Sequence, residues 1–308
     1  MAASAFTAFL FPGQGAQTVG MGSDLYTNSP AGRRLFDEAD SVLGFPLSSL
    51  ILNGPSDELT LTKNAQPAIF TVSIALLRAM EEQLGNHMPT PTLMAGHSLG
   101  EYTALAAASA ISFSEGLRLV QSRGELMQTA GEAIPSGMAA VLGLELNEVL
   151  AICSSTGVQL ANANSSGQSV ISGPNEALAN ASALALNRGA RRVVPLDVSG
   201  AFHSEVMRPA QAEIDRILQG ISFQEPLVPI IANTSALPIT TSEGIRQELA
   251  GQLCGPVLWQ QSVEYMAAQG IARFIEIGPG AVLTGLTKRT APKAELTAIS
   301  SLETISPL

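Results

Sequence analysis

Short, nearly unbroken apolar runs alternate along the chain with longer stretches whose apolar positions recur at helical spacing. Phe6–Phe11 is such a run, closed by Pro12-Gly-Gln-Gly15, which predicts a strand buried on both faces and a turn. Residues 65–84 predict a long helix stopped by Gly85, and 92–96 a second buried strand. That strand runs directly into Gly96-His-Ser-Leu-Gly100 and then into Ala-rich 101–110, a helix by propensity. Ser112-Phe-Ser-Glu115 has the form of a capping box and predicts a further helix to about residue 130.

The grain changes over 134–198. A strand at 138–142, a helix at 147–153, a strand pair at 158–162 and 168–172 about a Ser-Ser-Gly turn, a helix at 175–187 and a strand at 191–196 make a βαββαβ unit. Such a unit lays two helices on one face of a four-stranded antiparallel sheet, the ferredoxin-like arrangement. We therefore expect a small subdomain, 134–198, inserted into a large one formed by 1–133 and 199–308. In the second half of the large one, helices over 204–219 and 260–269 alternate with strands at 228–232 and 273–277, and Gly278-Pro-Gly280 precedes a last helix. Alternation with fully apolar strands implies an α/β fold with a mostly parallel sheet covered on both faces. The cleft between the two parts is the expected ligand site.

Composition narrows the function classes. Apolar residues are 46% and charged ones 14%, and 16 Lys+Arg against 26 Asp+Glu leave a net charge of −10, which disfavours nucleic-acid binding. Cys153, Cys254 and three histidines form no disulfide framework or zinc pattern, so no metal and a reducing, cytoplasmic location are expected. The apolar run from Ala5 to Phe11 lacks a preceding Lys or Arg, so no signal peptide is expected, and no apolar run is long enough for a membrane span.

Gly96-His-Ser-Leu-Gly100 fits G-x-S-x-G between a strand and a helix, where a tight turn lifts the serine hydroxyl above the sheet and makes Ser98 the candidate nucleophile. The helix that follows aims its free N–H groups at the same place, so Leu99 N–H is a candidate oxyanion donor, with Gln14 N–H in the first turn as a second. A serine needs a base. His97 sits within the turn and is expected to pack, and His87 lies in a polar loop. His203, between a strand and a helix, remains as the base, with no evident carboxylate to orient it, so that a backbone carbonyl is the alternative. With Val120 set at zero and about 100° per residue, Arg123 falls at about 300°, inside the apolar arc of its helix. Such a charge needs a partner: either a buried acid in a structural ion pair, or the carboxylate of a substrate gripped by the guanidinium fork.

Phe11-Pro-Gly-Gln-Gly15, Gly96-His-Ser-Leu-Gly-Glu-Tyr102, Ser122-Arg-Gly124, Gly200-Ala-Phe-His-Ser204, Ser262-Val-Glu-Tyr-Met-Ala-Ala-Gln-Gly270 and Glu276-Ile-Gly-Pro-Gly280 together resemble the malonyl-CoA:acyl-carrier-protein transacylases of fatty acid synthesis, over essentially the whole chain. The resemblance implies an α/β-hydrolase-like core with a ferredoxin-like insert. It also implies Ser98 as the acylated serine, His203 as its base, Gln14 and Leu99 as oxyanion-hole amides and Arg123 as the malonyl carboxylate clamp. Gln252 takes the position whose backbone carbonyl orients the histidine, Met127 and Phe202 those of the pocket wall, and Arg191 and Arg192 those near the CoA phosphates. A Phe just before the histidine goes with malonyl rather than methylmalonyl. The implied substrate is malonyl-CoA, with no tightly bound cofactor, and the implied partner is a phosphopantetheinylated acyl carrier protein; an acidic carrier meeting a chain of net charge −10 needs a local positive rim, for which Arg191, Arg192, Lys288, Arg289 and Lys293 are candidates, and the enzyme is expected to be a monomer. A serine thioesterase or esterase, or the same transfer serving polyketide synthesis or a malonate decarboxylase carrier, uses the same residues.

Overall fold

The computed structural model describes residues 6–305, so Ala5, at the head of the apolar N-terminal run, and the last three residues of the tail lie outside the described residues. Among the described residues there are ten strands: β1 (Phe6–Phe11), β2 (Pro91–Gly96), β3 (Ser136–Leu142), β4 (Gln159–Ser165), β5 (Gln168–Pro174), β6 (Arg192–Pro195), β7 (Ile230–Ile231), β8 (Pro238–Ile239), β9 (Ile271–Ile277) and β10 (Glu295–Ile299). They form a six-stranded sheet in the order β10-β9-β1-β2-β7-β8 and a four-stranded sheet in the order β4-β5-β3-β6. The first is parallel throughout except for β8 at its edge; the second is antiparallel. The fold is thus α/β, with a mostly parallel sheet and a smaller antiparallel one.

The apolar runs form strands because both faces of the large sheet are covered. Phe9, Phe11, Met94, Ile275 and Ile277 join one core, under the long helices Thr62–Leu84 and Phe113–Ala133. Ala8, Leu10, Leu93, Ala95 and Phe274 join another, with Trp259, Val263 and Met266 of helix Trp259–Ala268 and Leu283 and Leu286 of helix Val282–Thr290. The smaller sheet buries Ala139, Val141 and Ile171 against Val149 and Ile152 of helix Leu146–Thr156 and Ala181 and Ala185 of helix Asn175–Asn187. Its other face turns Met138, Ala161 and Val170 toward the first core. The smaller sheet is also stitched by main chain to the segment between helices Ser242–Gln252 and Trp259–Ala268: Val257 N–H donates to Ala161 O at 2.8 Å, and Ala163 N–H donates to Val257 O at 2.9 Å.

Several elements depart from the sequence expectations. Four helices, Ser23–Asn28, Pro30–Leu43, Leu47–Asn53 and Ser56–Thr60, occupy a stretch in which no element was expected. Three of them are only five to seven residues long, too short for a 3.6-residue period to stand out. The strand expected at 228–232 shrinks to Ile230–Ile231, because Pro226 and Pro229 ahead of it donate no ladder hydrogen bond. The helix expected from Ser204 starts with a 3-10 turn, Glu205–Met207, and becomes α-helical only over Arg208–Gln219. Helix Ser242–Gln252 and edge strand β10 were not anticipated; β10 is half-buried on both sides and lacks the clean alternation of a strand with one solvent face.

Phe70, on Thr62–Leu84, is fully buried and stacks on Phe113 at 5.6 Å between centroids, locking that helix to Phe113–Ala133. Phe70→Ala should cost about 3–5 kcal/mol, read from the urea unfolding midpoint; a loss below about 1 kcal/mol would mean the two helices are held elsewhere.

Candidate active site

The carboxyl ends of β1, β2, β7 and β9 open on one edge of the parallel sheet, where open α/β folds gather their reactive groups. Between Gly96, the end of β2, and Leu99, the start of helix Leu99–Ala107, the chain must reverse within two residues, and Ser98 adopts φ 53°, ψ −104°. Side chains are excluded on either side of it. A Cβ at Gly96 would lie 1.9 Å from the Gly100 carbonyl carbon, and one at Gly100 would lie 2.0 Å from the Phe11 carbonyl oxygen. A non-glycine residue held there costs about 1–3 kcal/mol. The Asn233 side chain offsets part of that cost: its Oδ1 accepts from Ser98 N–H at 2.7 Å and its Nδ2 donates to Gly96 O at 2.7 Å.

Ser98 Oγ lies 2.8 Å from His203 Nε2. On the far side of the ring, Nδ1 faces two main-chain carbonyls, Gln252 O and Gly255 O, each at 3.0 Å. A nitrogen between two acceptors carries the proton, so Nε2 is left as the acceptor for the serine hydroxyl. Two carbonyls therefore stand where the carboxylate of a Ser-His-Asp triad would be. His203 also sits at positive φ, 57°. Its pKa is pushed down to about 3, by burial first, then by the positive charge of Arg123 and by His97, against the pull of the two carbonyls.

Arg123 is 1% exposed, in agreement with its place in the apolar arc. Among the described residues no carboxylate pairs with it directly. Its Nη1 donates to Gln66 Oε1 at 2.7 Å, and its Nη2 to Gln252 Oε1 at 3.0 Å and to Ser98 Oγ at 3.1 Å. The guanidinium carbon lies 5.0 Å from the centroid of the Tyr102 ring. Glu101, fully buried on the next turn after Ser98, is reached only through Gln252, whose Nε2 donates to Glu101 Oε2 at 2.5 Å and to Ser98 O at 3.0 Å. Burial drives the Glu101 carboxyl well above the usual carboxylate range, and the charge of Glu248 adds to that. The Asn233 N–H, the Gln252 amide and Arg123 pull it back.

Ser98, His203, Arg123, Gln14, Leu99, Met127 and Phe202 line one cavity of about 300 Å³, closed on the other side by Met138, Asn162 and Leu196 of the smaller part. Gln252 stands behind His203 and Arg123, fully buried. A narrower groove continues from it past His97, Asn164, Gln168 and Val282. His97 packs on Trp259, 5.6 Å between centroids, and its Nε2 bonds Asn164 Oδ1 at 2.9 Å; burial lowers its pKa. Arg289 donates to Gln168, which lines that groove, whereas exposed Arg191 and Arg192, at the start of β6, line neither cavity. Sequence reading missed Gln66, Glu101, Asn233, Gly255 and the side chain of Gln252. Gln66 and Glu101 carried the same signal as Arg123, a polar residue on a buried helical face. Asn233 and Gly255 lie in loops, with no period to betray them.

The model of the acyl transferase domain family matches residues 8–305. The chain is 47% identical over 306 residues to the malonyl CoA-acyl carrier protein transacylase of Bacillus subtilis, covering 97% of this chain and 94% of that one. The acyl-carrier-protein-S-malonyltransferase of Bartonella henselae superposes with a TM-score of 0.93 at 42% identity, covering 98% of both chains. A malonyl-transacylase solved in complex with its type II PKS acyl-carrier protein superposes with a TM-score of 0.93 at 39% identity, again over 98% of both. With a serine on a strand-to-helix turn, its histidine and a buried arginine already in one cavity, this whole-length likeness settles the kinship: the chain belongs to the malonyl-CoA:acyl-carrier-protein transacylase family.

Proposed function

We propose that the protein moves a malonyl group from malonyl-CoA to the phosphopantetheine thiol of an acyl carrier protein, through a malonyl ester on Ser98. The observation that carries this reading is the buried guanidinium of Arg123 within 3.1 Å of the serine oxygen. A hydrolase of uncharged esters has no use for a desolvated cation there, whereas a malonyl thioester brings a carboxylate two carbons from the carbonyl under attack, and the fork can grip it two-pronged. The smaller part, residues 134–198, we read as a ferredoxin-like subdomain set into an α/β-hydrolase-like core, 1–133 with 199–308, so that the acyl group lies in the cleft between them.

His203 Nε2 takes the Ser98 proton as Oγ attacks the thioester carbonyl. The tetrahedral oxyanion is held by the backbone N–H groups of Gln14 and Leu99, the latter at the positive end of its helix. The oxyanion collapses, the imidazolium protonates the CoA sulfur, and CoA leaves. The carrier thiol then gives its proton to His203 and attacks the ester, reversing the steps. The Gln252 and Gly255 carbonyls hold the ring in the tautomer this needs and stabilise the imidazolium in passing. Phe202 and Met127 narrow the wall beside the acyl group, which supports malonyl over its α-methyl homologue. CoA and carrier enter as substrates, with no tightly bound cofactor and no metal in the mechanism. Arg191, Arg192, Lys288, Arg289 and Lys293 are the basic groups proposed to meet the carrier and the CoA phosphates, and the protein is read as a cytoplasmic monomer. No helix among the described residues is long and apolar enough to cross a membrane.

The test is intact-protein mass spectrometry with malonyl-, methylmalonyl- and acetyl-CoA, with and without phosphopantetheinylated carrier. The native protein should gain a malonyl adduct that passes to the carrier. Ser98→Ala should gain none, and Arg123→Ala should lose the preference for malonyl- over acetyl-CoA. Release of free malonate at one rate with or without carrier would make it a hydrolase.

A second prediction concerns pH. With His203 at about 3 instead of 6.5, the base stays neutral through the mildly acidic range. The rate of Ser98 malonylation in a single turnover should therefore stay flat from about pH 8 to about pH 5. A falling limb centred near the ordinary histidine value would show the ring to be solvated. The unfolded chain takes up this proton at about 6.5 and the folded one only near 3. The corresponding stability is therefore complete above that unfolded value and lost as pH falls toward 3.

A further inference from the structure

Arg123 is held by two glutamine amides, each turning its oxygen toward the guanidinium. An amide can be reversed end for end at little cost unless its surroundings forbid it. At Gln66 the NH2 end meets only the Met127 sulfur, at 3.3 Å, a weak acceptor. At Gln252 the NH2 end meets two oxygens, Ser98 O at 3.0 Å and Glu101 Oε2 at 2.5 Å. The other oxygen of Glu101 is occupied by the Asn233 N–H at 3.0 Å, so both of its hydrogen bonds are accepted ones. The carboxylate side chain is 0% exposed and lies outside the cavity that holds Ser98.

From this chain of contacts we infer that Glu101 is a positioning residue for acyl selection: as an acceptor it fixes the direction of the Gln252 amide, which in turn presents its oxygen to Arg123 and aims the guanidinium at the substrate carboxylate. The inference rests on reading Arg123 as the carboxylate clamp. Glu101 touches no reacting atom, and its effect reaches the substrate through one intervening side chain. Replacing it by glutamine preserves shape. The new amide must turn its oxygen to the Asn233 N–H, which leaves its NH2 facing the NH2 of Gln252. One donor pair must then give way, and a reversed Gln252 would set its NH2 against Arg123. The bond between Ser98 Oγ and His203 Nε2 and the two carbonyls behind His203 do not involve that amide, whereas Ser98 O would lose its bond from it.

The experiment compares Glu101→Gln, Gln252→Met and the double variant with the native protein, after thermal melts establish that each is folded. Single-turnover loading of Ser98 is followed with malonyl-CoA and with acetyl-CoA, which has no carboxylate. Glu101→Gln should lower kcat/KM for malonyl-CoA about tenfold, mainly through KM, and leave acetyl loading within about twofold of native. Gln252→Met should lower malonyl loading by at least as much, and the double variant should be no worse than Gln252→Met, because Glu101 acts through that amide. Equal losses on malonyl and acetyl loading would reduce Glu101 to a structural residue and overturn the inference, as would effects that multiply in the double variant. Arg123→Ala in parallel separates the two levels. If it keeps the malonyl preference, the clamp reading falls and this inference with it; if it loses the preference while Glu101→Gln does not, only the inference falls.

Discussion

A cation removed from water dictates much of this site. A guanidinium in an apolar interior is costly unless its donors are met and its charge is answered. Here each terminal nitrogen donates to a neutral oxygen, of Gln66, Gln252 or Ser98, the buried Nε meets no acceptor among the described residues, and the nearest acid is held one residue away. The arrangement keeps the charge without spending it on a permanent partner. On the proposed reading of Arg123, an incoming carboxylate finds an arginine already oriented and only partly compensated, which is where binding energy is least eroded by reorganisation. Burial first, and then the same positive charge, depresses the neighbouring imidazole and keeps His203 neutral.

Ser98 and His203, the two residues proposed to react, lie at backbone angles that side chains disfavour, φ 53° and 57°. That geometry persists because the parallel sheet over-determines it. β1 sets Phe11 O against the turn so closely that only glycine fits at position 100, and Asn233, just past β7, ties the turn from above. Strain of this kind collects where a fold must present a reactive atom rather than bury it. The surrounding helices contribute rigidity, and the sheet edge contributes position.

Much of this was legible in the sequence, and the reasons are particular. The strands β1, β2 and β9 show as apolar runs because both of their faces are buried, and the insert shows because its strand and helix lengths follow a regular order. Arg123 shows because a helical period exposes any polar residue on its inner face. Gln66 and Glu101 lie on buried faces in the same way, yet a period says only that such a residue needs a partner and does not say which. The hydrogen bonds joining Glu101, Gln252 and Arg123 span more than a hundred positions, and long-range pairing of that kind leaves no local trace. Asn233 and Gly255 act from loops, where no spacing constrains what a residue does. The short helices before residue 61 escaped because each has too few turns to display a face.

The main-chain stitch at Val257 has an architectural consequence. Val257 exchanges hydrogen bonds with both Ala161 and Ala163 on β4, and two residues earlier the same segment offers the Gly255 carbonyl to His203. The smaller sheet is thus spliced into the segment whose carbonyl faces His203 Nδ1. Any change in the smaller sheet must therefore keep a β4 whose N–H and carbonyl fall in register with Val257. Main-chain pairing at this boundary fixes the register of β4 whatever side chains face the cavity.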